Sequence, residues 1–355
     1  MIISYGLTPP HLGKEFLEIY NSIREDRLYA KHHPEIEGND VKNATYKLAL
    51  NGATGNYQNQ YSWLYAPFAV MQIRINGQLL LLKLTEMLLK VGAHLKQLNT
   101  DGILYTIPKS VDYKAVLKKW EDLTKLSLET ESYEAFYQHA INDYLAIGTG
   151  YSETHNKNLL KYKGLFIEDV SLGKGMAPPI IAKAINAHFA DGKSIEETIY
   201  ASRNLNDFLT YQKPDKKFSV EYNGEIVTRI NRYYASKNGA KLYKCVISKH
   251  KEKIPAVKLH FKSGEEEIVP QKDIEPGGKW YYRPEVLTIE YGGFKLEETR
   301  EERTDYTNLL KSSGVTLAND LTQFKEFPNN INYNYYIGEC YKIVDAFEKK
   351  QLTLW

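Results

Sequence analysis

Three groups of residues have the types and spacing for chemistry on phosphates. Arg27 and Lys31 stand four residues apart, as do Lys47 and Asn51, so each pair lies on one face if its segment is helical. Two such helices packed antiparallel would gather three cations and an amide on one surface suited to a polyphosphate. Taken alone, an Arg-x-x-x-Lys pair is more often a solvated helix face. After Asn51 the small residues Gly52, Thr54 and Gly55 let a backbone or a base pair approach closely. The same glycines also suit a plain helix C-terminus. Asn99-Thr100-Asp101-Gly102 separates two apolar runs, where Asp-Gly is most often only a hairpin turn. A carboxylate at a hairpin tip beside cationic helices has a second use, the holding of a divalent metal for phosphoryl transfer.

Other conspicuous residues carry plainer readings. His32 and His33 have no third ligand at recognisable spacing and read as a surface or phosphate-proximal loop. Leu172-Gly173-Lys174-Gly175 is too short for a phosphate-binding P-loop. The 28 tyrosines read chiefly as packing, with stacking on single-stranded bases as their other use.

The elements that must position these groups follow from periodicity. Phe16, Leu17, Tyr20 and Ile23 recur at helical spacing after Pro9 and Pro10, which predicts a helix over about 12–32. A second helix is expected over 40–52 with Asp40 as its N-cap, antiparallel to the first. A helical region is expected over 68–91. Its most apolar stretch, Leu79 to Leu89, is about half the length of a bilayer span and reads as a buried helix. The runs Ala93–Leu98 and Ile103–Ile107 read as a hairpin. Residues 111–124 look helical, and 132–146 are amphipathic with Tyr133, Phe136, Tyr137, Ile141 and Tyr144. The next helices are expected at about 177–190 and 195–210. Beyond Lys216 strands follow, including Phe218–Glu221, Ile226–Arg232 and Lys241–Ile247, before a short helix from Ile343 in the tail.

Composition bounds the rest. At about 150 residues per domain, 355 residues make two to three domains. A hydrophobic content of 43% with 25% charged residues fits a globular chain rather than a membrane protein or a disordered one. Cys245 and Cys340 make neither a disulfide framework nor a zinc pattern, so a reducing compartment is the default. The start Met1-Ile2-Ile3 has no cationic region or cleavage site, which leads to an intracellular expectation. A net charge of +2 does not announce a nucleic-acid partner by itself.

In order and separation, these pieces resemble the C-terminal polymerase region of family B DNA polymerases, especially those of bacteriophages. Lys47-x-x-x-Asn51-x-x-x-Gly55 looks like the fingers motif K-x-x-x-N-S-x-Y-G, and Asn99-Thr100-Asp101-Gly102 looks like the palm motif D-T-D-S. Lys161-Tyr162-Lys163-Gly164 resembles the basic segment that holds the primer strand, and Asn231-Arg232-Tyr233-Tyr234 falls in the thumb. The resemblance covers most of residues 1–240, while 250–325 do not align. It implies an α+β fold, a partial right hand with helical fingers (1–58), an incomplete palm sheet (59–170) and a mixed α/β thumb (171–355). The thumb carries a β-rich insertion at about 240–325 and a C-terminal tail.

Carried over, the resemblance implies that Asp101 binds catalytic Mg²⁺. Arg27, Lys31 and Lys47 grip the dNTP phosphates, Asn51 helps to position the nucleotide, and Lys161 and Lys163 hold primer phosphates. The implied activity is nucleotidyl transfer on primer-template DNA in the cytoplasm of a bacterial host cell, with no membrane involved. Gln351, Leu352, Leu354 and Trp355 resemble a peptide that binds the bacterial sliding clamp, Q-L-[SD]-L-F. The other reading of that tail is a segment packed on its own thumb.

Three departures alter the expectation. Asn99 replaces the first aspartate of the palm motif, and Thr54 stands where the family has an aromatic residue. No D-x-x-S-L-Y-P strand (motif A) is present, and Met1-Ile2-Ile3-Ser4 resembles what normally follows it. One carboxylate does not hold two Mg²⁺ ions, each needing about six oxygen ligands. The chain is therefore expected to be inactive or nearly so alone, with motif A and the exonuclease on another polypeptide or a missing N-terminal part. A non-catalytic DNA- and clamp-binding remnant is the alternative. An unpaired position beside the palm hairpin should expose apolar surface and a strand edge.

Overall fold

In a computed structural model, which describes residues 1–168 and 177–351, the chain divides into two units, Met1–Ser132 and Tyr133–Trp355. Both units combine helices with antiparallel sheets, giving the α+β class expected. Among the described residues, no helix is long and apolar enough to cross a membrane.

The first unit is helical apart from one hairpin. A single turn, α1 (Ile2–Tyr5), precedes Pro9 and Pro10, after which the chain enters α2 (Gly13–His32). Phe16, Leu17 and Tyr20 of α2 pack on the buried Ala53, Tyr57, Ala66 and Val70. At the end of α2, the His33 carbonyl accepts from the buried side-chain amide of Asn39 at 2.8 Å, which ties off the helix terminus. Gly38, at φ 82°, supplies the left-handed backbone for the reversal into α3 (Asn39–Asn56). The cap position thus belongs to Gly38, not to Asp40. Asp40 instead lies in the first turn, where its charge meets the helix N-terminus.

α4 (Pro67–Lys90) leads through Gly92 into β1 (His94–Leu98) and β2 (Ile103–Thr106), followed by α5 (Tyr113–Thr124). Asp112 caps α5 by accepting from the Ala115 N–H at 3.2 Å. The apolar run Leu79–Leu89 is buried on one side only, contrary to expectation. Leu84 and Leu88 join Ala93, Leu117 and Trp120 in a core, and Trp120 Nε1 donates to the Leu80 carbonyl at 2.9 Å. Leu79, Leu82 and Leu89 remain half exposed because the hairpin and α5 pack along the opposite side.

The second unit opens on an antiparallel sheet of β3 (Tyr133–Ala140), β4 (Asp143–Gly148) and, after a turn of helix α6 (Tyr151–Thr154), β5 (Leu160–Lys163). The amphipathic stretch 132–146 is therefore mostly a hairpin reversing at Ile141-Asn142. Its aromatic residues sit near helical spacing, but the period-two alternation beneath them decides the structure. Leu145 and Ile147 point into the core, and Tyr144 and Ala146 lie on the other face.

Next come α7 (Pro179–Asp191) and α8 (Ile195–Ala201). The helix expected over 195–210 stops at Ala201. Asn204 caps a 3₁₀ turn at Leu205–Phe208, and Asp207 is held by Ser202 Oγ at 2.8 Å and Lys183 Nζ at 2.7 Å.

Strands β6 (Thr210–Gln212), β7 (Ser219–Tyr222), β8 (Glu225–Val227) and β9 (Asn231–Ser236) lead into β10 (Leu242–Phe261). After β11 (Glu266–Pro270), β12 (Val286–Asn308) and β13 (Gly314–Leu317), the last described element is α9 (Tyr333–Gln351), which starts well before the expected Ile343. β9 lies between β13 and β6. The buried Tyr336 hydroxyl ties α9 to this sheet, accepting from Ala235 N–H and donating to the Phe208 carbonyl, each at 2.8 Å.

β10 and β12 form a long antiparallel ribbon. β7 flanks its base at Leu242–Cys245, and β11 joins it at Ala256–His260. Between them the ribbon carries cross-strand ion pairs, Lys249–Glu301 at 3.0 Å and Lys251–Glu297 at 3.1 Å. A small distal core of Val257, Leu259 and Val269 packs with Phe261 and Trp280. Exposed pairs of this kind contribute at most about 1 kcal/mol each, so the distal core is what anchors the ribbon's outer end.

Candidate nucleic-acid interface

The first group of expected site residues lies on α2 and α3. Tyr20 donates to the Leu50 carbonyl at 3.1 Å, and Arg27 Nε donates to Asn43 Oδ1 at 3.3 Å. Together these contacts set one antiparallel register, in which Lys47 stands level with Ile23. Lys47 is thus about 6 Å along the axis from the level of Arg27, one turn away. Arg27 is half-buried and oriented by Asn43, while Lys47 and Asn51 are exposed. Lys31 is placed differently from an open phosphate ligand. Its ammonium pairs with Glu129 at 2.9 Å and holds that carboxyl below its usual range. The pair is exposed, so an incoming polyphosphate would compete with Glu129 at little cost.

Asp101 sits at the tip of the β1–β2 hairpin, exposed to solvent. Asn99 shapes the tip. Its N–H donates to the Gly102 carbonyl at 2.9 Å, and its Oδ1 accepts from the Thr100 N–H at 2.7 Å. Asn99 thus performs as an amide the turn-capping that an aspartate would perform with a charge. A register shift between Leu95 and Gln97 adds a bulge just before the tip. Among the described residues, no three His, Cys, Asp or Glu side chains come together as a metal site. Asp101 alone does not fit a pair of Mg²⁺ ions.

The third group lies on the outer face of the β3-β4-β5 sheet. Lys161 and Lys163 alternate with Tyr162, so both lysines share one face. Tyr162 turns to the core, where burial pushes its phenol pKa upward. Lys163 stands beside Tyr144 in register, its Nζ 5.8 Å from the ring centroid. Phe136 stacks on Tyr144 with centroids 4.8 Å apart, and Tyr133 meets Phe136 edge-on. Cations and aromatic rings thus share one sheet surface, a combination that takes phosphates and bases together. Gly164 closes the Lys-Tyr-Lys-Gly segment for a steric reason. At φ +62°, a Cβ there would come within 2.5 Å of the Asn142 carbonyl oxygen.

Phe136 and Tyr144 were not singled out as site residues from the sequence. The signal was the alternation of Tyr144 and Ala146 with Leu145 and Ile147, which puts Tyr144 beside the lysines once the hairpin is recognised. Tyr233 and Tyr234 on β9 are buried core residues rather than stacking platforms. The clamp-like tail from Gln351 to Trp355 and the Leu172–Gly175 segment lie outside the described residues and side chains.

No protein-family model matches the chain, and no curated protein matches it.

Proposed function

We propose that the chain is the fingers, palm and thumb portion of a family B DNA polymerase of the bacteriophage type. It takes part in template-directed DNA synthesis, completed by a motif A strand from outside these 355 residues. The observation that carries this reading is the order in which the chain presents its parts. Arg27 and Lys47 lie one turn apart on paired antiparallel helices, Asp101 follows at a hairpin tip, and Lys161 and Lys163 then share a sheet face.

In this reading the primer 3′-hydroxyl attacks the α-phosphate of the dNTP, forming the new phosphodiester as pyrophosphate leaves. Arg27, Lys31 and Lys47 bind and orient the triphosphate and offset its charge. Asn51 positions the nucleotide, and Lys161 and Lys163 hold the primer strand by its phosphates. Asp101 contributes one carboxylate, and motif A brings the second.

Primer extension with Mg²⁺, by the purified chain alone and mixed with the polypeptide encoded immediately upstream, tests the reading. The expected outcome is extension in the mixture only, lost by more than a hundredfold in Asp101→Ala with primer-template binding unchanged. Extension by the chain alone would mean that a carboxylate within it replaces motif A. One observation favours a second reading, a DNA- and clamp-binding remnant without chemistry: at the hairpin tip the amide Asn99 stands where the resemblance has an acid, beside the exposed Asp101. That reading expects DNA binding and no extension in either preparation.

A further inference from the structure

Residues 41–85 contain no Asp or Glu, and their charged side chains are the four cations Lys42, Lys47, Arg74 and Lys83. In a chain with 44 acids among 355 residues, this segregation gives α3, the loop after it and most of α4 a single sign of charge. Lys42, Lys47 and Arg74 are exposed. Arg74 lies about 10 Å along α4 from its start.

The loop that joins α3 to α4 holds aromatic rings out in water. Tyr61 and Trp63 are 87% and 88% exposed, and Tyr65 is exposed as well. With His11, Gln60 and Ser62 they line an open cleft of about 390 Å³, a size that takes a small flat solute. The loop backbone is tied down on all sides. Tyr61 N–H donates to Asn59 Oδ1 at 3.0 Å, Ser62 N–H to the Asn59 carbonyl at 2.9 Å and Leu64 N–H to Ser62 Oγ at 3.1 Å. His11 Nε2 donates to the Trp63 carbonyl at 2.7 Å, and Ala66 N–H closes the loop on the Tyr57 carbonyl at 3.0 Å. Rings carried on a backbone already fixed in this way lose little further entropy on binding.

The lining selects its occupant. None of its six residues is a carboxylate, a lysine or an arginine. It offers ring faces together with an amide, hydroxyls and an imidazole, which match a solute with π faces and hydrogen-bonding edges, as a nucleobase has. The cations lie on the helices that flank the cleft, where they attract the phosphates attached to such a base. A flank of one sign favours a polyanion over a folded partner of mixed charge.

We infer that the cleft at the α3–α4 loop binds an unpaired base of a single-stranded nucleic acid, stacked on Trp63 and Tyr61. It is built from other residues than the β5 sheet face, and it requires a single strand but no synthesis.

The test titrates the full chain with a short oligothymidylate and with an abasic strand of the same length. It reads Trp63 emission as the difference between the parent and Trp63→Phe. The oligothymidylate is expected to quench that emission and the abasic strand to leave it unchanged. Tyr61→Ala and Trp63→Ala should each weaken oligothymidylate binding about fivefold or more, the lower end of base–aromatic stacking. The slope of log K against log salt should stay the same, because neither side chain is charged. Trp63→Phe, which keeps a ring, should retain most of the affinity. Equal quenching by both strands, or full affinity in both alanine variants, overturns the inference. Quenching by a proline-rich peptide and not by the oligothymidylate also overturns it, in favour of a protein partner. Neither dNTP nor primer extension enters these measurements, so the inference fails or holds separately from the polymerase reading.

Discussion

Tyr57 shows how closely a single residue is constrained. It is fully buried against Phe16 and Ala53 in the first unit, yet its hydroxyl has no hydrogen-bond partner among the described residues. Burial pushes its pKa up to about 12, because the phenolate would lose its solvation. An unpaired buried hydroxyl carries a desolvation cost with nothing to offset it. Tyr57→Phe is therefore expected to stabilise the protein by about 1 kcal/mol in thermal or urea unfolding. A loss of stability would mean that the hydroxyl is hydrogen-bonded in solution. At this scale the sequence was informative about residue types but not about pairing. Lys31 was legible as a cation on the expected face, whereas its pairing with Glu129 depends on a contact 98 residues away in sequence.

At the scale of elements, the β3-β4-β5 sheet turns an alternating sequence into two unlike faces. The inner face buries Leu145 and Ile147, and the outer face gathers Phe136, Tyr144, Lys161 and Lys163. Aromatic stacking on a base is worth about 1–3 kcal/mol, so Tyr144→Ala should weaken binding of a primer-template with a single-stranded overhang about fivefold or more. Fluorescence anisotropy reads this, with nucleotide affinity as the unaffected control. Equal loss in both measurements would point to misfolding of the sheet instead. The α2–α3 pair, α4, the β1–β2 hairpin and α5 were all legible from period and turn chemistry. The 132–146 hairpin was not, because five aromatic and aliphatic residues near helical spacing mask the alternation that strand pairing exploits.

For the whole molecule, 46 Lys+Arg nearly balance 44 Asp+Glu, so any attraction to DNA has to come from segregated charge. On the ribbon, lysines face glutamates across strands and neutralise one another, as in Lys249–Glu301 and Lys251–Glu297. On β5, Lys161 and Lys163 share a face with aromatic rings. Each phosphate contact releases counterions, giving a slope of about −0.9 per contact in log K against log salt. Replacing both β5 lysines by Ala should therefore flatten the salt dependence of DNA binding by about 2. Replacing Lys249 and Lys251 should leave it unchanged. A slope insensitive to Lys161 and Lys163 would remove the sheet face from the interface.

The sequence by itself determined the local grammar of this protein. Proline, glycine and period placed the helices of the first unit, and the motif order suggested a chemistry for Arg27, Lys47 and Asp101. These are short-range properties, fixed by backbone sterics and by which side chains share a face. Tertiary structure alone decided that Leu79–Leu89 is covered on one side, that Phe136 and Tyr144 stand beside two lysines, and that Lys31 meets Glu129. Each depends on which distant segment arrives to cover or to pair, and burial is a property of that arrangement rather than of the residue.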